Sequence, residues 1–274
     1  MSVATYAAAQ LLRAIPRVRL SRAVGRLCEA PLPATVSRAV TGIYSRVYDV
    51  DLGEVAPRTL PYDSFDEFFT RPLKDGARDI SEDAVVSPAD GLLASTGGVD
   101  ASGRIFVKGR PYDTSELVGD PRDAAGFAGG SYAVVYLSPR DYHRVHSPVS
   151  GKMDFVRGIP GDLYPVNAIG ERHIPRLFVR NNRVAMFLQT PGLGRVAVVM
   201  VGAVIVGRIS VRAIPEPAVP EGDHTIDPPL ELQRGDEIGV FHLGSTAVLL
   251  VEPGIQLARS VGPVRYGESL LKAA

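Results

Sequence analysis

Four side chains stand in surroundings suited to chemistry: Asp90 in Ser87-Pro88-Ala89-Asp90-Gly91, His143 and His146 in Tyr142-His143-Arg144-Val145-His146-Ser147-Pro148, and Ser245 in Leu243-Gly244-Ser245-Thr246. A serine becomes a nucleophile when a base takes its proton, and the usual base is a histidine oriented by a carboxylate. Asp90, His146 and Ser245 make such a set if the fold brings them together. Their order along the chain decides nothing, because the same arrangement recurs in different orders on unrelated folds. The G-x-S-x-G elbow of the α/β-hydrolases is absent. A Gly-Ser-Thr step inside an apolar run is most often a bulge or turn. Ser245 nevertheless sits between two apolar half-strands, Ile238–Leu243 and Ala247–Val251, and not on an exposed turn. That position suits a serine whose first target is its own backbone.

The elements that must position these residues change character along the chain. Residues 2–15 are rich in alanine and leucine, good helix formers, and Pro16 stops the segment. A second short helix is predicted from Ser21 to Cys28. In a third, Val36, Val40, Ile43, Tyr44 and Val47 fall on one face, with Ser37, Arg38, Thr41, Ser45 and Arg46 on the other. Packing on the core is the commoner fate of such a stripe, whereas basic residues beside apolar faces equally suit a helix lying in a membrane interface. For the helices before Pro31 an amphipathic stripe alone does not choose. Ser64 with Glu67 makes a capping box for a short helix ending near Phe69.

From Val85 onward short β-rich runs follow: Gly91–Val99, Arg104–Lys108, Ser131–Leu137, Val184–Gln189, Val196–Ile209 and Ile238–Val251. No regular strand–helix alternation appears, which argues against a doubly wound parallel sheet. The expected fold class is α+β. It has a predominantly antiparallel, sandwich-like β core and an N-terminal helical, membrane-associating subdomain. The division falls at residues 1–70 and 71–274. The proline- and acid-rich stretch Ala213–Leu230 reads as a surface loop.

With 274 residues, 45% of them hydrophobic, the chain can bury a real core. Its 30 basic and 30 acidic residues balance, which argues against a nucleic-acid partner. The balance hides an asymmetry, since Arg13, Arg17, Arg19, Arg22 and Arg26 all precede the first acidic residue, Glu29. Such an end invites contact with an anionic surface. Cys28 alone excludes an intrachain disulfide. No apolar run is long enough to span a bilayer, and no cleaved signal peptide is apparent. His173, His224 and His242 show no metal-ligand spacing, and no nucleotide fingerprint occurs, so neither a metal nor a nucleotide is expected.

The Asp90, histidine and Ser245 segments, in that order, resemble the bacterial, pyruvoyl-dependent phosphatidylserine decarboxylases. Further segments carry the resemblance: Phe68-Phe69-Thr70-Arg71-Pro72-Leu73-Lys74, Tyr164-Pro165-Val166-Asn167, Leu177–Val184 and Val201-Gly202-Ala203. It runs from about Phe68 to the C-terminus, and the first sixty residues match only loosely.

The resemblance implies a proenzyme that cuts itself between Gly244 and Ser245. His146, held by Asp90, would deprotonate Ser245, whose Oγ attacks the Gly244 carbonyl. Gly244 has no side chain to obstruct the approach. The ester then eliminates, and residue 245 loses ammonia to become a pyruvoyl group, the implied covalent cofactor. A β chain, residues 1–244, and an α chain, residues 245–274, would stay together. The pyruvoyl ketone would condense with the amine of phosphatidylserine and take up the electrons left when CO2 departs, giving phosphatidylethanolamine. His143 is the implied proton donor to the former α-carbon. Residues three apart on a strand point to opposite faces, so both histidines reach one site only if Tyr142–Pro148 is irregular. Expected partners are the lipid substrate, an anionic membrane surface at the cytoplasmic face of the cell membrane, and a second copy of the chain as a candidate. The alternatives are another serine-headgroup lipid as substrate, a serine hydrolase with Ser245 intact, or a non-catalytic lipid-binding β-sandwich.

Overall fold

The computed structural model describes residues 17–166, 173–204 and 208–272, with Arg17 and Ser245 described at the backbone only. The first predicted helix, within residues 2–15, lies outside the described residues, as do Arg13 and Asn167. Helix α1, Arg17–Glu29, covers the predicted second helix with a turn to spare, and α2 spans Ala34–Tyr48. Helix α3, Phe65–Phe69, starts as the capping box predicts. The Glu67 N–H donates to Ser64 Oγ at 3.1 Å, and the Glu67 carboxylate turns back to accept from the Asp63 N–H at 2.6 Å.

Of the apolar stripe of α2 only Tyr44 turns inward, where its ring meets Phe65, Phe68 and Phe69. Ser37 is fully buried and Ser45 nearly so, whereas Ile43 is 61% and Val47 69% exposed. The inward face is held by polar contacts, Ser37 Oγ to the Tyr62 carbonyl at 2.7 Å and Tyr44 Oη to the Pro139 carbonyl at 3.0 Å. Helix α1 repeats the arrangement, with Ser21 and Gly25 buried and Leu20 and Leu27 exposed. Small residues let both helices lie close to the body, and their large apolar side chains are left outside.

Thirteen described strands, with a few short helical turns between them, build the rest, and every paired strand is antiparallel. The fold is therefore α+β with a predominantly antiparallel core. The large sheet has eight strands in the order β10 (Gly222–Leu232), β6 (Gly151–Ile159), β7 (Arg183–Thr190), β8 (Gly194–Val201), β12 (Ser245–Val251), β4 (Ser131–Leu137), β1 (Gly91–Gly98) and β13 (Gly262–Val264). A three-stranded sheet, β5 (Arg144–His146), β11 (Glu237–His242) and β9 (Arg208–Val211), lies against it. The two meet at Gly239, where an added Cβ would stand 2.8 Å from Met200 Sδ and 2.9 Å from the Ser210 carbonyl. β2 (Arg104–Val107) and β3 (Arg110–Asp113) form a separate hairpin.

Two predicted runs prove to be pairs of strands in different sheets. Val196–Ile209 divides into β8 and β9, and Ile238–Val251 into β11 and β12. Apolar runs mark burial, which both sheets supply, so hydrophobicity did not reveal the crossings. Ala213–Leu230 is only partly a loop, because β10 begins at Gly222. It is an edge strand, where Pro228 and Pro229 cost no inner ladder bonds, and its register shifts between Thr225 and Leu230.

Three of the motif segments meet on one side chain. The fully buried Asn181 accepts from the Tyr164 N–H at 2.9 Å and donates to the Tyr164 and Gly202 carbonyls, both at 2.8 Å. Among the described residues no helix is long and apolar enough to cross a membrane.

Candidate active site

Ser245 opens β12, a strand bonded on both sides. Its backbone lies in register with Leu137 on β4, and from Thr246 onward β12 also pairs with β8. The preceding Leu243 has φ of 84°, a left-handed conformation that is uncommon for a leucine, and it marks the turn from the small sheet into the large one. An added Cβ on Gly244 would meet nothing within 4 Å, so the side-chain direction of this residue is open.

The histidine segment borders this junction from two directions. Leu137, opposite Ser245, leads through Ser138–Asp141 into Tyr142 and His143. On the other side the Phe241 N–H donates to the His143 carbonyl at 2.9 Å. Arg144–His146 is a strand, and the two histidine rings lie in different surroundings.

His146 is buried. Its Nδ1–H donates to the Gly235 carbonyl at 2.7 Å, and its Nε2 accepts from Tyr142 Oη–H at 3.2 Å. The Gly235 bond fixes the tautomer and leaves Nε2 as the basic atom. Burial lowers the His146 pKa, opposed by the nearby charges of Glu237 and Asp90, so the ring is neutral at pH 7, as a base must be.

Asp90 does not hydrogen-bond His146. Its carboxylate is gripped by Arg78, with Nη2 at 2.5 Å and Nε at 3.2 Å, and accepts the Tyr266 N–H at 2.8 Å. The Tyr266 ring then stacks on His146 with centroids 3.7 Å apart and planes inclined by 4°. The carboxylate acts on the imidazole through its charge and through Tyr266. Sequence reasoning missed Tyr266, Arg78 and Tyr142. Only Tyr142, next to His143, lay within a motif.

His143 is fully buried, with Nδ1–H on the Asp141 carbonyl at 2.8 Å and its ring against Phe69 at 4.1 Å between centroids. Burial lowers its pKa to about 3, helped by the charge of Arg71. Its Nε2 has no hydrogen-bond partner among the described residues, and a buried polar atom left so asks for a ligand or an ion. His242, unassigned from the sequence, holds Asp66 with Nδ1 2.9 Å from each carboxylate oxygen.

Beside Asp90 and Tyr142 opens a cleft of about 550 Å³, also lined by Arg71, Arg140, Arg259 and Arg265. Arginines and carboxylates alternate around it, a lining for a ligand carrying charges of both signs.

A family model described as phosphatidylserine decarboxylase matches residues 65–272, three residues earlier than the motifs begin. A protein of Anaeromyxobacter sp. (strain K), named phosphatidylserine decarboxylase proenzyme, is 42% identical over 96% of this chain and 97% of its own length. Relatives of the same name from Acinetobacter baumannii (strain AYE) and Psychrobacter cryohalolentis are 41% and 39% identical, covering 87% and 86% of this chain and 84% and 86% of theirs. The shared class is that of decarboxylases made as proenzymes. This chain belongs to the phosphatidylserine decarboxylase family.

Proposed function

We propose that the chain cuts itself between Gly244 and Ser245 and then decarboxylates phosphatidylserine to phosphatidylethanolamine and CO2 with a pyruvoyl group formed from Ser245. The observation that carries this reading is the junction itself. A left-handed leucine and an unobstructed glycine stand at a sheet-to-sheet turn, directly before a serine anchored in an inner strand. Strained backbone of this kind persists where the surrounding structure enforces it, and it concentrates at reactive sites.

In this reading His146 Nε2 takes the Ser245 proton, Tyr142 Oη–H giving way or relaying it, and Asp90 stabilises the imidazolium by charge. Ser245 Oγ attacks the Gly244 carbonyl carbon, and the 244–245 amide bond breaks as the ester forms. Loss of the residue 245 α-proton and of the ester oxygen from Cβ frees the Gly244 carboxylate. The remaining enamine tautomerises, takes up water and releases ammonia. The short product remains bound, because β12 is laddered to both β8 and β4, and β13 to β1.

The residues fit the implied pyruvoyl group. Space is open at Gly244, and the unsatisfied Nε2 of His143 lies on the bordering segment. When bound, the group supplies an electron sink for the bond broken as CO2 leaves. His143, neutral with Nδ1–H on a carbonyl, takes a proton at Nε2 from the substrate ammonium and returns it to the former α-carbon. The cleft beside Tyr142, lined by five arginines and six carboxylates, receives the zwitterionic headgroup, the arginines facing its phosphate and carboxylate and the acids its ammonium.

Within residues 1–70, α1 and α2 lie on the membrane that holds the substrate, as a peripheral attachment at the cytoplasmic face. Leu20, Leu27, Ile43 and Val47 face outward beside the exposed Arg19, Arg22, Arg26, Arg38 and Arg46. Apolar side chains rimmed by arginine suit an anionic lipid interface, and each basic residue near the surface adds about 1 kcal/mol.

Intact mass of the purified protein tests the reading. The parent is expected as two chains parted before residue 245, and Ser245→Ala as one. A fragment starting at position 245 from Ser245→Ala would overturn the mechanism, and a whole, active parent would favour a hydrolase with Ser245 intact.

A further inference from the structure

We propose that Asp66 and His242 are a positioning pair for the self-cleavage, holding the backbone just upstream of Gly244–Ser245 in its reactive turn. The inference rests on the self-cleavage reading. His242 ends β11 and directly precedes the left-handed Leu243. Its backbone pairs with Arg208 on β9, and its side chain is held at both nitrogens. Nδ1–H donates to the Asp66 carboxylate at 2.9 Å, and Nε2 lies 3.2 Å from Ser210 Oγ. Asp66 is itself fixed on α3, inside the Ser64–Glu67 capping box, and lies 3.4 Å from Nη2 of Arg208, whose Nη1 pairs with Glu29 of α1. Two elements, β9 and α3, therefore grip the last residue before the turn, and α1 braces them through Arg208.

A leucine adopts positive φ only where its neighbours leave no alternative. Downstream, β12 is locked into the large sheet. Upstream, the fixing contacts are the β9 ladder and the His242 side chain. With the side chain released, the end of β11 can relax toward an extended backbone, and the Gly244 carbonyl turns away from the attacking hydroxyl. A displacement of this kind is enough to slow an intramolecular attack severely. Asp66 and His242 touch no reacting atom, and they act through Leu243 and Gly244.

Cleavage of the freshly translated full chain, followed in time by intact mass beside its melting temperature, tests the pair. His242→Ala is expected to slow cleavage roughly 10- to 100-fold, the scale of a small misplacement of reacting groups. An asparagine nitrogen reaches the position of Nδ1 and can still donate to Asp66, so His242→Asn is expected to recover most of the rate, and His242→Phe none of it. The double change His242→Ala/Asp66→Ala should be no slower than the slower single change, since both remove one interaction. Cleavage of His242→Ala at the parent rate, equal rates for the Asn and Phe variants, or additive single effects would each overturn the proposal. Should His242→Ala fail to fold, the Asn and Phe comparison decides alone. A parent that stays whole overturns the self-cleavage reading itself and this inference with it. A promptly cut parent beside unaffected variants overturns only the inference.

Discussion

Tyr266 joins the carboxylate and the base of the candidate triad: its N–H donates to Asp90 at 2.8 Å and its ring lies 3.7 Å from the ring of His146. It belongs to the short chain that cleavage would release, whereas Asp90 and His146 belong to the long one. The stack thus spans the two products.

Replacing the ring should disturb the base without removing it. Aromatic stacking contributes about 0.5–1.5 kcal/mol beyond buried area, so Tyr266→Ala is expected to slow self-cleavage roughly tenfold by letting His146 tilt, and Tyr266→Phe to cut at near the parent rate. Intact mass over time checks this. Prompt cutting by Tyr266→Ala would mean that His146 is held by Gly235 and Tyr142 alone.

His143 should make stability depend on pH. An unfolded histidine titrates near 6.5 and this buried one near 3, so in that window the unfolded chain holds a proton that the folded chain lacks. Stability is fully present above pH 6.5, falls as pH drops through it, and stops falling near 3. At pH 5 the loss is about 2 kcal/mol. Urea unfolding at pH 7 and pH 5, in a Ser245→Ala background so that one chain unfolds, should show the parent losing about that much more than His143→Gln. Equal losses would count against the burial of a neutral ring.

His143→Ala in the otherwise unaltered chain is expected to cut itself and then turn over phosphatidylserine poorly, because the ring's proposed task begins only after cleavage. General acid–base groups contribute on the order of 10²–10⁴-fold, and a loss in that range is expected in the turnover number. An uncut His143→Ala chain, or a cut one with parent turnover, would remove the division of labour between the two histidines.

Asn181 should behave as structure and not as chemistry. Asn181→Ala strands the Tyr164 N–H and the Tyr164 and Gly202 carbonyls in a buried place, at a cost of about 1–3 kcal/mol for each group left unpaired. A melting temperature lowered by several degrees is expected, with whatever protein folds still cutting itself. Unchanged melting would show that water replaces the amide.

The outer face of α2 should bind lipid and contribute nothing to folding. Ile43→Ser with Val47→Ser removes two exposed apolar side chains, so stability should stay within about 0.5 kcal/mol. Co-sedimentation with phosphatidylserine vesicles should weaken roughly tenfold or more. Unchanged sedimentation would place the lipid-facing surface elsewhere.

The sequence by itself determined what is local. The Ser64–Glu67 cap, the existence of α2, the strand Ser131–Leu137 and the order of the family motifs were all legible, because caps, periodicity and turn residues act over a few positions. Asp90, His146 and Ser245 came from residue types and their neighbours, and His143 from the family resemblance. Tertiary structure decided what each face meets. Val36, Val40, Ile43, Tyr44 and Val47 share a helical face, yet of these only Tyr44 turned inward, its ring on the aromatic cluster of α3, while Ser37 and Ser45 took the rest of the inward side, Ser37 on the Tyr62 carbonyl. The run Ile238–Val251 reads as one strand, and only the packing of two sheets breaks it at Leu243. The Tyr266–Asp90 bond on the route to His146 and the His242–Asp66 bond each join residues 176 positions apart. Nothing in either segment marks its partner, because a hydrogen bond between distant segments depends on where the whole chain places two backbones, and no local pattern encodes that.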